Sequence, residues 1–166
     1  MIRIHILMYH RVGHFPHRMP SHRGQYCHLP CFKAQMAMLK RFGYSVIGLD
    51  EAVAGLRGQK PLPPRPVVLT FDDGYLDFLE HVAPVLLAHN YPATVYAVAG
   101  LLGKTNEWVI PEGLEPAPLM TAAQLREVQS MGFTVGSHTV SHPRLAQTET
   151  PQIADEMTIS KKMLED

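Results

Sequence analysis

Apolar positions fall into short runs of strand character and longer stretches of helical period. Ile2 to Tyr9 is an apolar, β-branched run that predicts a buried strand. From Gly13 to Pro30 the chain turns polar and rich in His, Pro and Gly, which reads as a long loop. Phe32, Met36, Leu39 and Phe42 then recur at helical spacing, with Gly43 as the stop. Tyr44 to Leu49 predicts a second strand, and Asp50 an N-cap for a short helix through Val53 and Leu56, closed by Gly58. Pro61, Pro63, Pro64 and Pro66 make a stiff connector that delivers a third strand, Val67 to Phe71. A helical stretch follows with Leu79, Val82, Leu86 and Leu87, re-initiated at Pro84, and Ala93 to Ala99 is a fourth strand. After a loop from Gly100 to Pro118, Thr121 and Gln124 form a capping-box signature for a helix that buries Leu125 and Val128 and ends at Gly132. Phe133 to Gly136 is a fifth strand, and Thr150 with Pro151 opens a last helix with Ile153, Met157 and Leu164 on one face.

Five strand-then-helix units predict an α/β fold with a parallel sheet covered by helices. A closed barrel of eight such units needs about 250 residues. At 166 residues, the chain predicts one domain, 1–166, built as an open or incomplete (β/α) barrel. Apolar residues are 46% and charged residues 18%, an ordinary globular balance. Fifteen basic residues cancel fifteen acidic ones, which argues against nucleic acid or a membrane surface held by bulk charge. No apolar run approaches the roughly 20 residues of a membrane span. Two cysteines cannot build a disulfide framework. Met1 to Val12 is interrupted by His5 and His10 and lacks a small-residue cleavage site, so it reads as mature fold and the expected compartment is the cytoplasm.

The ten histidines change the picture because several fall where chemistry belongs. Functional residues of parallel α/β folds sit at the C-terminal ends of strands. The first strand ends in Met8-Tyr9-His10-Arg11, the third in Thr70-Phe71-Asp72-Asp73-Gly74, and the fifth in Ser137-His138-Thr139-Val140-Ser141-His142-Pro143. Two adjacent carboxylates at the end of an apolar strand need a cation or donors to stay ionised. The alternative is that one caps the next helix and the other is solvated. His138 and His142, in H-x-x-x-H spacing around a turn, can reach one metal. Two imidazoles and one carboxylate with open positions suit catalytic zinc and some iron sites, leaving the second carboxylate as a base. Together these point to a mononuclear metal hydrolase.

The Thr70–Gly74 and Ser137–Pro143 segments resemble, in order, the first two motifs of the polysaccharide deacetylases (NodB homology, carbohydrate esterase family 4). Leu7-Met8-Tyr9-His10-Arg11-Val12 resembles the branch that includes poly-β-1,6-N-acetylglucosamine N-deacetylases. The resemblance implies a distorted (β/α) barrel in which Asp73, His138 and His142 hold one divalent metal, Asp72 is the general base and His10 the general acid. It implies Zn²⁺ first, with Co²⁺, Ni²⁺ or Fe²⁺ also suiting an Asp-His-His set. The implied partner is an acetylated amino-sugar polymer or oligomer, and the implied products are acetate and a glucosamine unit. The family's later motifs, an Arg–aromatic segment and an apolar stretch lining the acetyl pocket, are not found before Asp166. The chain is therefore expected to lack the C-terminal part of the family fold, and substrate-binding residues are not assigned. Two alternatives stay open: a non-catalytic metal- or carbohydrate-binding remnant, and a hydrolase of a small amide or imide. Open strand edges make a homo-oligomer plausible.

Weaker signals remain. Cys27 and Cys31 with His22 and His28 suggest a second metal site, but read better as loop thiols. His14 and His17 lie at the mouth of the site or in solvent. Trp108 stacks on a sugar ring or anchors its own loop. Tyr75 orients substrate or starts a helix. Met36, Met38, Met157 and Met163, at helical spacing, read as core.

Overall fold

The structure is a computed structural model that describes residues 3–16 and 23–165. The expectations placed on Ile2, His17 and His22 lie outside these residues.

The centre of the fold is β5 (Pro66–Phe71), every residue of which is buried. A continuous apolar run is what a strand covered on both faces requires. Along one edge it pairs in parallel with β1 (His5–Tyr9), from His5 opposite Val67 to Tyr9 opposite Phe71. Val67 also pairs with Val46 of β4 (Ser45–Val46), and Thr70 with Thr94 of β6 (Thr94–Ala97), so β4 and β6 share the other edge. β6 pairs in parallel with β7 (Thr134–Ser137), Ala97 lying opposite Ser137. β1 and β7 end the path β1-β5-β6-β7 on opposite sides. Among the described residues the barrel is therefore open, as the count of units predicts.

Five α-helices cover the sheet: α1 (Leu29–Arg41), α2 (Leu49–Leu56), α3 (Ala83–His89), α4 (Ala122–Ser130) and α5 (Thr150–Glu165). α4 carries the predicted capping box, with Gln124 N–H donating to Thr121 Oγ1 and Thr121 N–H donating to Gln124 Oε1. Before α3 the chain makes one π turn, Phe78–Val82, in which Ala83 N–H donates to the Phe78 carbonyl. Pro84 has no N–H to continue an ordinary ladder, so the helix restarts there. Phe71 stacks on Tyr9 (5.2 Å between ring centroids) and meets Phe32 and Phe78 edge-on at 6.0 and 5.0 Å. Phe78 in turn packs on Phe133 at 5.3 Å. This aromatic chain ties α1, the centre of the sheet and the segment leading into β7 into one core.

Several boundaries differ from expectation. The loop expected from Gly13 to Pro30 contains β3 (Tyr26–His28), which pairs in parallel with β2 (Arg11–Gly13). The strand expected over Tyr44–Leu49 is only β4, because α2 begins at Leu49 behind an N-cap at Gly48. Asp50 lies inside the first turn, where its charge complements the helix dipole without capping it. Met36 is fully buried, but Met38, Met157 and Met163 are 54%, 56% and 45% exposed. On α1 the inward stripe is Phe32-Met36-Leu39, which places Met38 outside. On α5 the residues that are not exposed are Ile153, Glu156, Ser160 and Leu164. That stripe replaces the expected face of Ile153, Met157 and Leu164.

Candidate metal centre

The parallel register fixes where the strand ends deliver their side chains. His10 and Asp72 each follow the paired residues Tyr9 and Phe71, and Asp72 N–H extends the ladder to the Tyr9 carbonyl at 2.9 Å. His138 follows Ser137, and its N–H donates to the Ala97 carbonyl at 2.9 Å. The chain then loops to present His142 beside it. Asp73 is 3% exposed, and its Oδ1 lies 3.3 Å from His138 Nε2 and 3.3 Å from His142 Nε2.

The local backbone is unusual for these residue types. Asp73, Thr139 and His142 all take positive φ, at 73°, 67° and 61°. Such conformations cost of order 1–3 kcal/mol each for residues other than Gly and persist only where the surroundings impose them. The surroundings are visible. Gly74, also at positive φ, passes so close to Ala97 that a Cβ would sit 3.2 Å from its Cα. Ala99 and Gly100 donate their N–H groups to the Thr139 and Val140 carbonyls at 3.0 and 2.9 Å. A Cβ on Gly100 would meet the Val140 carbonyl oxygen at 2.6 Å, so only glycine allows this approach. Thr139 Oγ1 accepts from His142 N–H at 3.1 Å, closing the turn that aims the second imidazole.

The donors fit a metal ion. The three ligand atoms lie within 4.8 Å of one another, and among the described residues this is the one cluster of three metal-ligating side chains. A tetrahedral ion with bonds of about 2.0–2.1 Å holds its donors roughly 3.3–3.4 Å apart, which matches both Asp–His separations. Asp73 Oδ1 is buried and has no hydrogen-bond partner although two ring nitrogens point at it. A buried acceptor left in that state calls for a cation.

Electrostatics separate the two aspartates. Burial pushes the Asp72 carboxyl above the ordinary aspartate range, His138 and His10 pull it down, and the Asp73 charge adds to the rise. Burial also acts on Asp73, but His138, His142 and His10 outweigh it and hold the carboxyl below that range. The histidines divide too. The Asp73 carboxylate raises His138, whereas burial lowers His142.

Residues 59–166 match the family model for polysaccharide deacetylase. The chain belongs to the polysaccharide deacetylase family. It is 28% identical to YxkH of Bacillus subtilis (strain 168) over 164 residues, 98% of the chain and 52% of that protein. It is 44% identical to the poly-beta-1,6-N-acetyl-D-glucosamine N-deacetylase of Escherichia coli (strain K12) over 68 residues, 41% of the chain and 10% of that enzyme. The structure of the Streptococcus pyogenes deacetylase PplD in complex with acetate superposes with a TM-score of 0.80 at 28% identity, over 99% of the chain and 70% of PplD. The chain thus spans about half the length of YxkH and a small part of the E. coli enzyme.

Within this deacetylase fold the remaining candidates fall in different places. Trp108 stacks on His142, with ring centroids 4.3 Å apart, and packs beside the cluster of Tyr75, Ala117 and Leu119. It therefore walls the second histidine and anchors its loop. Tyr75 is 3% exposed, with Asn106 Nδ2 donating to its hydroxyl at 2.7 Å and the Asp73 carboxylate as its hydrogen-bonding neighbour, so it backs a metal-ligating residue from inside the core. His14 is exposed, 6.3 Å from the His81 ring. Cys27 and Cys31 are free thiols, and Cys27 Sγ lies 3.8–3.9 Å from the His28 carbonyl and Gln35 Oε1. No second cluster of metal ligands forms around them among the described residues.

Two features escaped the sequence. Arg11, next to His10, donates through Nε to Asp77 at 2.6 Å and lies over the Tyr75 ring at 5.0 Å, pinning the start of β2 to the segment after the aspartates. Glu156 of α5 accepts from the backbone N–H groups of Val140 and Ser141. A helical stripe in which Glu156 and Ser160 interrupt Ile153 and Leu164 is the sequence signal that points to the second of these.

Proposed function

We propose that this chain carries the catalytic centre of a metal-dependent hydrolase that removes N-acetyl groups from N-acetylglucosamine polymers or oligomers. The observation that carries the reading is the convergence of Asp73 Oδ1, His138 Nε2 and His142 Nε2, with Asp72 and His10 at adjoining strand ends. Asp73, His138 and His142 would hold one divalent ion, Zn²⁺ in the first instance. A bound divalent ion supplies Lewis acidity, polarising an amide carbonyl and acidifying water.

Asp72 takes the proton of the attacking water. Its raised carboxyl pKa makes it a stronger base than an exposed aspartate. His10, across the ladder from Asp72, gives a proton to the departing amine, a task suited to imidazole near neutrality. Acetate and a free glucosamine unit result. The segments matched to the poly-β-1,6-N-acetyl-D-glucosamine deacetylase favour a β-1,6-linked substrate.

The test is acetate release from β-1,6- and β-1,4-linked N-acetylglucosamine oligomers by metal-stripped protein, with and without added Zn²⁺ or Co²⁺. Release is expected only with metal and faster on the β-1,6 oligomer. Stoichiometric metal binding without release from either oligomer overturns the reading in favour of a non-catalytic binding fold.

A further inference from the structure

We propose that Glu156 is a positioning residue for the candidate metal centre, acting with Ser160 to clamp the histidine-bearing loop from helix α5. The proposal rests on the reading that Asp73, His138 and His142 hold a divalent ion.

Glu156 Oε2 accepts from Val140 N–H at 2.6 Å and from Ser141 N–H at 3.0 Å, and Oε1 accepts from the Ser141 hydroxyl at 2.6 Å. Both amides lie between His138 and His142. Ser160, one helical turn further on and fully buried, shares a 2.5 Å hydrogen bond with Ser137, the residue before His138. Helix α5 thus grips the loop immediately before its first histidine and again within the span that leads to the second.

The packing of α5 supports this role. A helix on a sheet ordinarily docks through an apolar stripe. The one fully buried residue of α5 is a serine, and three of its five large apolar residues, Met157, Ile159 and Met163, are half-exposed. The inward positions Glu156 and Ser160 spend their places on polar contacts to the loop. The loop needs such a hold, because Thr139 and His142 sit at positive φ and relax unless restrained. A carboxylate accepting two adjacent backbone amides makes strong charge-assisted bonds. Groups behind metal ligands fix their orientation, and losing one weakens metal affinity by roughly 10–100-fold.

The experiment titrates metal-stripped protein with Co²⁺ alone, reading affinity and the visible ligand-field spectrum, for the parent chain, Glu156→Ala and Glu156→Gln. Lys161→Ala, 71% exposed on the same helix, is the control, and far-ultraviolet circular dichroism monitors the fold. The parent and Lys161→Ala are expected to bind one Co²⁺ with the same spectrum. Glu156→Ala is expected to bind roughly 10–100-fold more weakly, with an altered spectrum, and Glu156→Gln, which keeps one acceptor, to fall between them. If Glu156→Ala does not fold, Glu156→Gln alone decides. Parent-like affinity and spectrum in a folded Glu156 variant overturn the clamp and leave the metal reading standing. A parent chain that binds no Co²⁺ overturns both.

Discussion

Asp72→Asn is expected to lower metal-dependent acetate release by about 10²- to 10⁴-fold, the usual contribution of a positioned general base. The amide has the shape of the carboxylate and cannot take a proton from water. Metal binding is expected to survive, because Asp72 is not among the three converging donors. Stability is expected to survive as well. A carboxyl whose folded pKa is raised opposes folding once the pH exceeds its unfolded value, since its charged form is the one that burial penalises. The asparagine variant therefore melts no lower than the parent near neutral pH, and a thermal scan beside the acetate assay reads both quantities. A variant that lost metal and activity together would place Asp72 among the ligands.

The second large effect is at Asp73. Asp73→Asn is expected to abolish tight metal binding and bring acetate release down to the metal-free background. The loss should exceed the roughly 10–100-fold that removal of a supporting group costs. Asparagine is the informative substitution because, like aspartate, it tolerates the left-handed backbone found here at φ 73°. Alanine would add backbone strain to the loss of the ligand. Isothermal titration with Zn²⁺ measures the effect, and circular dichroism shows whether the backbone has kept its place. Removing Asp73 also takes away the carboxylate that raises His138.

Much of this arrangement is legible in the sequence because it rests on local rules. The short run Val67-Val68-Leu69-Thr70-Phe71, apolar but for one threonine and rich in β-branched residues, reads as a strand buried on both faces. Whatever follows it, here Asp72 and Asp73, then stands at the C-terminal edge of the sheet. The Thr121–Gln124 capping box is equally local, and it appears as read. What the sequence hides depends on tertiary geometry. β2 and β3 are too short for a period to register, and their pairing joins segments that are not adjacent in the chain. Met157 looks like core because it has the right spacing and hydrophobicity, yet helix α5 turns Glu156 and Ser160 inward. Their partners, the Val140 and Ser141 amides and the Ser137 hydroxyl, are fixed only once the loop has folded. In the sequence Trp108 is open to two roles for the same reason. Its stacking on His142 depends on where two distant loops meet.

The central claim is that Asp73, His138 and His142 bind one divalent ion. Anomalous diffraction from crystals of the protein grown with Zn²⁺, recorded on either side of the zinc absorption edge, tests it most directly. One strong zinc peak is expected about 2.0–2.2 Å from a carboxylate oxygen of Asp73 and from Nε2 of both His138 and His142. The absence of a peak there, or a peak that lies instead beside Cys27, His28 and Cys31, would contradict it.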